Sequence, residues 1–116
     1  STPIPENEVL RVLKKDGIFI TVSPDAGHHL QLKQVLYDSV RLNDAPPELE
    51  GFEKLKEIHL SRTEHVMELM DLLEMTPYRY KSPRKGIEAL EEIKNGLDID
   101  FQFVIQIWRK QYENND

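Results

Sequence analysis

The stretch IDFQFVIQIW, residues 99–108, decides the fold class of this chain. Isoleucine or phenylalanine occupies every odd position from 99 to 107, and mostly polar residues such as Asp100, Gln102 and Gln106 lie between them. A period of two is typical of a β-strand that buries one face. The pattern predicts a long strand over residues 98–109, with Trp108 in the core. The fold therefore includes a sheet.

Two further strands are predicted before this one in the sequence. Residues 18–23 are apolar on both faces, which is typical of a strand in the middle of a sheet rather than at its edge. Residues 53–62 alternate only partly and indicate a half-exposed strand. A strand in the middle of a sheet needs a neighbour on each side, and the three predicted strands do not provide both neighbours for the strand at 18–23. We therefore expect further chain beside it.

Four helices are predicted from capping signals and apolar stripes, over about 5–15, 28–40, 63–74 and 83–94. Together with the strands, they give the order helix, strand, helix, strand, helix, helix, strand. This order predicts an α/β fold in which helices cover a sheet. We expect residues 1–116 to form a single compact unit.

Composition and charge limit the possible functions. The 116 residues include 39% hydrophobic and 31% charged residues and no cysteine, which excludes disulfides and thiolate metal sites and fits a cytoplasmic protein. No apolar run is long enough to span a membrane, and no membrane partner is expected. The net charge is −6, but the segment 75–85 has four basic residues and no acids, so the remaining chain carries −6 − 4 = −10. An anionic partner is expected to meet that segment.

One stretch and a series of shorter pieces resemble known methyltransferases. The stretch EVLRVLKKDGIFI, residues 8–20, resembles the E-x-x-R-V-L-K-P-G-G signature of class I S-adenosylmethionine-dependent methyltransferases, although Lys15 and Asp16 depart from it. From about Thr2 to Tyr112, the chain resembles the C-terminal part of the 23S rRNA guanine-N1 methyltransferase family. The pieces that carry this resemblance are 29–33, 35–37, 49–52, 73–78 and 100–108.

The resemblance implies that the chain is the C-terminal portion of a Rossmann-like methyltransferase fold. The family's zinc-binding module and its cofactor-binding half precede this portion, so the chain is expected to be the rear of a larger enzyme and to be inactive alone. S-adenosylmethionine would bind in the complete enzyme, and zinc only in the absent module. The implied partner is 23S rRNA. We also expect a homodimer, or another pairing through the edge of the strand at 18–22.

Candidate site residues lie where ligands bind in open α/β sheets, beyond the carboxyl ends of parallel strands. The substrate-side candidates are Thr2, Pro3, Ser23, Pro24, His29, Thr76, Pro77 and Tyr78. The RNA-contact candidates, in which aromatic and basic residues are interleaved, are Arg79, Tyr80, Lys81, Arg84 and Lys85. No catalytic residue is assigned. No metal site is expected, since the four histidines show no ligand spacing.

Each of these candidates also has a structural interpretation. His29 could pack or cap at the start of its helix, Met75–Tyr78 could be a helix stop against the core, and the basic segment could be a solvated turn. Two other functions stay open besides an rRNA methyltransferase. One is a non-catalytic binding or dimerisation module derived from the fold, and the other is a piece of a small-molecule methyltransferase.

Overall fold

The computed structural model describes residues 6–111. In this range it is a mixed α/β structure with a three-stranded sheet and four helices. The strands are β1 (Ile18–Pro24), β2 (Phe52–Val66) and β3 (Leu97–Lys110). The helices are α1 (Glu6–Val12), α2 (Leu30–Leu36), α3 (Leu69–Glu74) and α4 (Arg84–Glu91), and a short 3-10 turn spans Pro77–Tyr80. The predicted α/β class is confirmed.

The strand β3 is the centre of the sheet. It pairs antiparallel with both neighbours, in the order β1-β3-β2. Ile20 lies opposite Ile107 and Ile58 lies opposite Ile105, with an irregularity in β2 between Lys54 and Lys56. Because β1 and β2 are both antiparallel to β3, they run in the same direction. The chain from β1 through α2 to β2 therefore crosses β3.

The prediction that the first strand lies in the middle of a sheet is wrong for the described residues. There β1 is an edge strand, and the side chains of Ile18, Ile20 and Val22 are 49%, 57% and 63% exposed. Apolar composition on both faces indicates burial but does not say which element provides it. The sequence pattern therefore could not distinguish a central strand from an uncovered edge strand.

Helix boundaries needed the largest corrections. Thr63–Val66, predicted as the start of a helix, continues β2, because β3 extends to Leu97 and pairs with it throughout. The hydroxyl of Thr63 donates to the Asp100 carboxylate at 2.6 Å, which holds this pairing. The helix predicted over 28–40 forms only at Leu30–Leu36, since the backbone is extended again at Tyr37. The first and last predicted helices also end early, at Val12 and Glu91.

Two cores lie on opposite faces and at opposite ends of the sheet. Residues at odd and even positions of β3 face opposite sides. Ile99 packs against helices α2, α3 and α4, in a cluster completed by Leu32, Leu36, Leu69, Leu72, Leu73 and Leu90. Trp108 packs on the other side with Leu49 and Phe52, against which α1 and Phe19 lie. Trp108 is 1% exposed and its indole N–H donates to Thr21 at 3.1 Å, so the prediction of a core tryptophan is confirmed.

The remaining part of the odd-numbered face is not covered by any described helix. We call it the open sheet face; it consists of Ile18, Ile20, Val22, Ile58, Leu60, Phe103, Ile105 and Ile107. Directly paired residues lie on the same face, so the register places these side chains together. Leu60 is 49% exposed, and Ile105 and Ile107 are half-buried. Contiguous apolar surface of this kind is typical of an interface.

Candidate functional site

The turn after β1 holds the start of α2 against the middle of β3. The carboxylate of Asp25 accepts from the N–H of Ala26 at 2.8 Å, and the N–H of Gly27 donates to the Gln102 side chain at 3.0 Å. A Cβ atom on Gly27 would lie 2.7 Å from that same Gln102 oxygen. Glycine therefore allows the turn to approach β3 closely, and this fixes the position of the two histidines that follow.

His29 is held in an unusual backbone conformation at the start of α2. Its φ of 57° and ψ of 26° lie in the left-handed region, which is uncommon for residues other than glycine. Its N–H donates to the Asp100 carbonyl at 2.7 Å, and its side chain is 8% exposed. Strained backbone held by hydrogen bonds is frequent where a side chain must be aimed at a ligand.

Tyr78 meets this histidine from a distant part of the sequence. The Tyr78 hydroxyl lies 3.3 Å from Nδ1 of His29, and the two rings are perpendicular with centroids 5.8 Å apart. Burial, together with Tyr37, raises the pKa of Tyr78, so its hydroxyl stays protonated near neutral pH. The structure thus brings together two of the substrate-side candidates that are 49 residues apart.

Thr76 and Pro77 orient Tyr78. The Thr76 hydroxyl accepts from the Tyr78 N–H at 3.3 Å and donates to the Leu73 carbonyl at 2.8 Å, and Pro77 occupies the first position of the 3-10 turn. Thr76 is 7% exposed. Since its hydroxyl bonds within the chain, the geometry favours the helix-stop interpretation for Thr76. Of these three residues, Tyr78 is the one that reaches the histidine.

The two adjacent histidines stack on each other and on aromatic residues of β3. Their ring centroids are 3.7 Å apart, and Phe103 lies 4.6 Å from His28 while Phe101 lies 5.2 Å from His29. The N–H of Gln102 donates to Nδ1 of His28 at 2.9 Å, so the His28 proton is on Nε2. Burial, then His28 and Lys33, lower the pKa of His29 to about 4. Burial and Lys33 also lower the pKa of His28. Both imidazoles are therefore neutral near neutral pH.

Lys33 and Asn43 belong to the same cluster and were missed by sequence reasoning. Lys33 lies one turn after His29 on α2, and its Nζ is 5.2 Å from the Tyr78 ring centroid and 3.3 Å from Oδ1 of Asn43. The Asn43 side chain donates to the Asp25 carbonyl at 2.9 Å, which links the loop to the turn after β1. Lys33 follows His29 by four residues, and in a helix this spacing places two side chains next to each other, so the sequence could have indicated Lys33. Nothing in the local sequence indicated Asn43.

The remaining substrate-side candidates lie at the same end of β1 or outside the described residues. Ser23 and Pro24 line an open groove of about 300 Å³ whose other wall is residues 43–47. Asn43 belongs to both the groove and the histidine cluster. Thr2 and Pro3 lie outside the described residues.

The RNA-contact candidates form one exposed surface that follows Tyr78. The Arg79 guanidinium lies over the Tyr80 ring at 4.3 Å and also pairs with Glu74, while Tyr80 is 75% exposed. Arg84 pairs with Glu88 at 3.1 Å. Lys81 and Lys85 are exposed. Two of the four cations are therefore partly neutralised by acids, Arg79 by Glu74 of α3 and Arg84 by Glu88 of its own helix α4. The stacked Arg79–Tyr80 pair is the most distinctive feature of this surface.

Within residues 6–111, no group of three or more histidine, aspartate or glutamate side chains could hold a metal ion, and no helix is long and apolar enough to cross a membrane. No protein-family model matches the chain, and no curated protein matches its sequence. The resemblance to methyltransferases therefore rests on the motifs quoted above.

Proposed function

We propose that this chain forms the substrate side of an S-adenosylmethionine-dependent methyltransferase that methylates guanine N1 in 23S rRNA. The observation that carries the proposal is the contact between Tyr78 and His29 at the carboxyl end of β1. The two residues come from two separate pieces of the family resemblance. Beyond the carboxyl end of a strand is also where ligands of open α/β sheets bind.

The chemistry of the cluster suits a planar base. Neutral imidazole and phenol groups each donate and accept hydrogen bonds, and the rings of Phe101 and Phe103 provide flat apolar surface beside them. With a pKa of about 4, His29 is a weak base at neutral pH. We therefore assign it, with Tyr78, to holding the base rather than to removing the N1 proton.

We further propose that the sheet is the C-terminal portion of a Rossmann-like fold, with additional strands beside β1 in the complete enzyme. Two observations support this extension. The strands β1 and β2 run in the same direction and are joined by a crossover that contains α2, as parallel strands of doubly wound sheets are, although the antiparallel β3 lies between them here. The outer edge of β1 and the open sheet face are also apolar, as buried surfaces are.

The described residues do not fit a binding site for the cofactor. The turn after β1 has a single glycine rather than a glycine-rich loop, and its Asp25 carboxylate already binds Ala26 and His59. We therefore assign S-adenosylmethionine binding, and any zinc, to parts of the enzyme outside this chain. The proposed location is the cytoplasm, where rRNA is found.

The first test measures methylation of 23S rRNA by the complete enzyme. Methylation at N1 blocks Watson–Crick pairing, so reverse transcription of treated 23S rRNA should stop at the modified guanine. We expect Tyr78→Phe to lower the rate of modification by about tenfold or more while leaving thermal stability nearly unchanged. Unchanged rates in Tyr78→Phe, or methylation at another atom, would overturn the proposal.

A second test addresses the RNA-contact surface. Changing Arg79, Lys81 and Arg84 to glutamate should weaken 23S rRNA binding and reduce its dependence on salt, because fewer counterions are released. The matched control changes three exposed basic residues outside the segment 75–85, Lys56, Arg62 and Lys94, to glutamate. Equal losses in both triple variants would indicate a general charge effect. A small-molecule methyltransferase would show no salt-dependent RNA binding.

The alternative of a binding or dimerisation module is favoured by one observation, the exposed edge of β1 beside the open sheet face. The residues of this edge carry no charge between Ile18 and Ser23, so nothing protects it against pairing. For the chain alone we expect no methyl transfer and at best very weak cofactor binding. Calorimetry that showed micromolar affinity for S-adenosylmethionine would overturn this expectation.

A further inference from the structure

Lys33 is buried without an acidic partner. The residue is 7% exposed, and its ammonium group has one hydrogen-bond acceptor, Oδ1 of Asn43 at 3.3 Å. No carboxylate of the described residues forms an ion pair with it. Lysine is rarely buried unless it is paired, because the loss of hydration of an ammonium group is costly. Burial accordingly lowers the pKa of Lys33.

The groups around Lys33 leave the site positively charged. His28 and His29 are neutral near neutral pH and contribute no negative charge. Two acids beside Asn43 are engaged with other partners: Asp25 binds Ala26 and His59, and Asp44 pairs with Arg41 at 3.4 Å. The Tyr78 ring below the ammonium is uncharged and offers only a cation–π contact.

We propose that Lys33 and Asn43 form a binding site for a phosphate group of a nucleotide. An ammonium group has three N–H donors, and here the described residues provide one acceptor. Phosphate oxygens are strong acceptors, and their charge would balance that of the buried ammonium. The Asn43 amide also bonds to the Asp25 carbonyl, so both ligand-facing residues are held in place.

The surroundings favour a nucleotide over a free phosphate ion. Asn43 lines the groove formed with Ser23 and Pro24, which gives a ligand access to this end of the cluster. The Tyr78 ring centroid lies 5.2 Å from the ammonium nitrogen and the Tyr78 hydroxyl lies 3.3 Å from Nδ1 of His29, so groups able to hold a base lie next to the proposed phosphate site. The site goes beyond the proposed function, since a phosphate can bind here whether or not the protein takes part in methyl transfer.

The test is a titration of the isotopically labelled 116-residue chain, followed by NMR at the lysine side chains. Inorganic phosphate and guanosine monophosphate should each shift the Lys33 side-chain resonances to saturation, with tighter binding of the nucleotide. Guanosine, which lacks the phosphate, should shift them little. The exposed Lys56 provides an internal control whose resonances should not saturate. Shifts with guanosine but not with phosphate would overturn the proposal, as would no shift with either phosphate compound.

Variants of Lys33 separate this site from general surface charge. Lys33→Gln should weaken phosphate affinity by about tenfold or more, Lys33→Arg should retain most of it, and Lys56→Gln should leave it unchanged. Equal affinity in Lys33→Gln and the unaltered chain would contradict the assignment. If Lys33→Gln fails to fold, the NMR titration of the unaltered chain still decides whether phosphate binds at Lys33. Neither result depends on the methyl-transfer test, so the two proposals can fail separately.

Discussion

At the scale of single residues, His29 makes the stability of the protein sensitive to acid. Burial beside His28 and Lys33 lowers its pKa to about 4, below the ordinary value of 6.5. Between these two values the unfolded chain binds a proton that the folded chain does not. The free energy of unfolding should therefore be highest above pH 6.5 and should fall as the pH falls toward 4, by on the order of 1–3 kcal/mol from this residue.

The variant His29→Asn tests this expectation, because asparagine tolerates the left-handed backbone and does not titrate. Urea denaturation at several pH values should show a shallower loss of stability below pH 6.5 than in the unaltered chain. Some loss should remain, since the pKa of His28 is also lowered. An identical pH dependence in both proteins would show that His29 titrates normally.

His59 should act in the opposite direction. Its ring nitrogens lie 2.9 Å from the carboxylates of Asp25 and Glu57, and these hydrogen bonds raise its pKa. These hydrogen bonds stabilise the folded protein fully below pH 6.5, the pKa of His59 in the unfolded chain. The stabilisation is lost as the pH rises through the higher pKa of His59 in the folded protein. We expect His59→Gln to lower the thermal midpoint at pH 6 more than at pH 8.5. An equal decrease of the thermal midpoint at pH 6 and pH 8.5 would indicate that the contacts of His59 with Asp25 and Glu57 do not depend on its charge.

At the scale of elements, the packing of α2 against α4 depends on Gly86. A Cβ atom at this position would overlap the carbonyl oxygen of Leu36 and lie 2.8 Å from its Cα. Backbone cannot move as a flexible side chain does, so Gly86→Ala should destabilise the protein by about 2 kcal/mol or more. Chemical denaturation measures this. Glu88→Ala on the exposed side of the same helix is the control and should cost only a few tenths of a kcal/mol. Similar losses in both variants would mean that the helices do not pack this closely.

Elements with a strict period were predicted well from the sequence, and elements set by distant partners were not. The alternation in 98–109 is local, and β3 forms at Leu97–Lys110. Residues 63–66 are different, because Val66, Met67 and Met70 continue an apolar spacing that suits a helix. The first four residues of β3, Leu97–Asp100, nevertheless pair with Thr63–Val66 and hold it in the sheet. Pairing across the sheet outweighs a weak local helical preference.

In the candidate site, too, local sequence predicted some features, and contacts between distant residues determined the others. The sequence singled out His29 and Tyr78 separately, by resemblance, but the 3.3 Å contact between them needs the 3-10 turn to be placed against α2. In the sequence, Lys33 is an ordinary charged residue of the helix predicted over 28–40. Its burial results from the loop containing Asn43 and the ring of Tyr78, both distant in sequence. The sequence therefore predicted two residues of the site, His29 and Tyr78, but not the buried positive charge of Lys33 beside them.

At the scale of the whole molecule, the two edges of the sheet differ in how they are protected. The outer edge strand β2 has charged residues along most of its length and an irregularity between Lys54 and Lys56, and both features discourage pairing with another strand. The outer edge of β1 is short and apolar and lies beside the open sheet face. The molecule therefore has one edge suited to solvent and one suited to a partner strand.

This asymmetry predicts where the chain associates. Antiparallel pairing of two β1 strands would extend the sheet across a twofold axis and join the open sheet faces of two copies. Val22→Lys places a charge on this edge, where Val22 is 63% exposed, and should shift sedimentation from dimer toward monomer with little change in stability. Leu42→Lys is the matched control, since Leu42 is 53% exposed but lies in a loop and not in a strand. A monomeric unaltered chain whose β1 amides exchange freely would contradict pairing at this edge, whereas slow exchange lost only in Val22→Lys would locate the partner there.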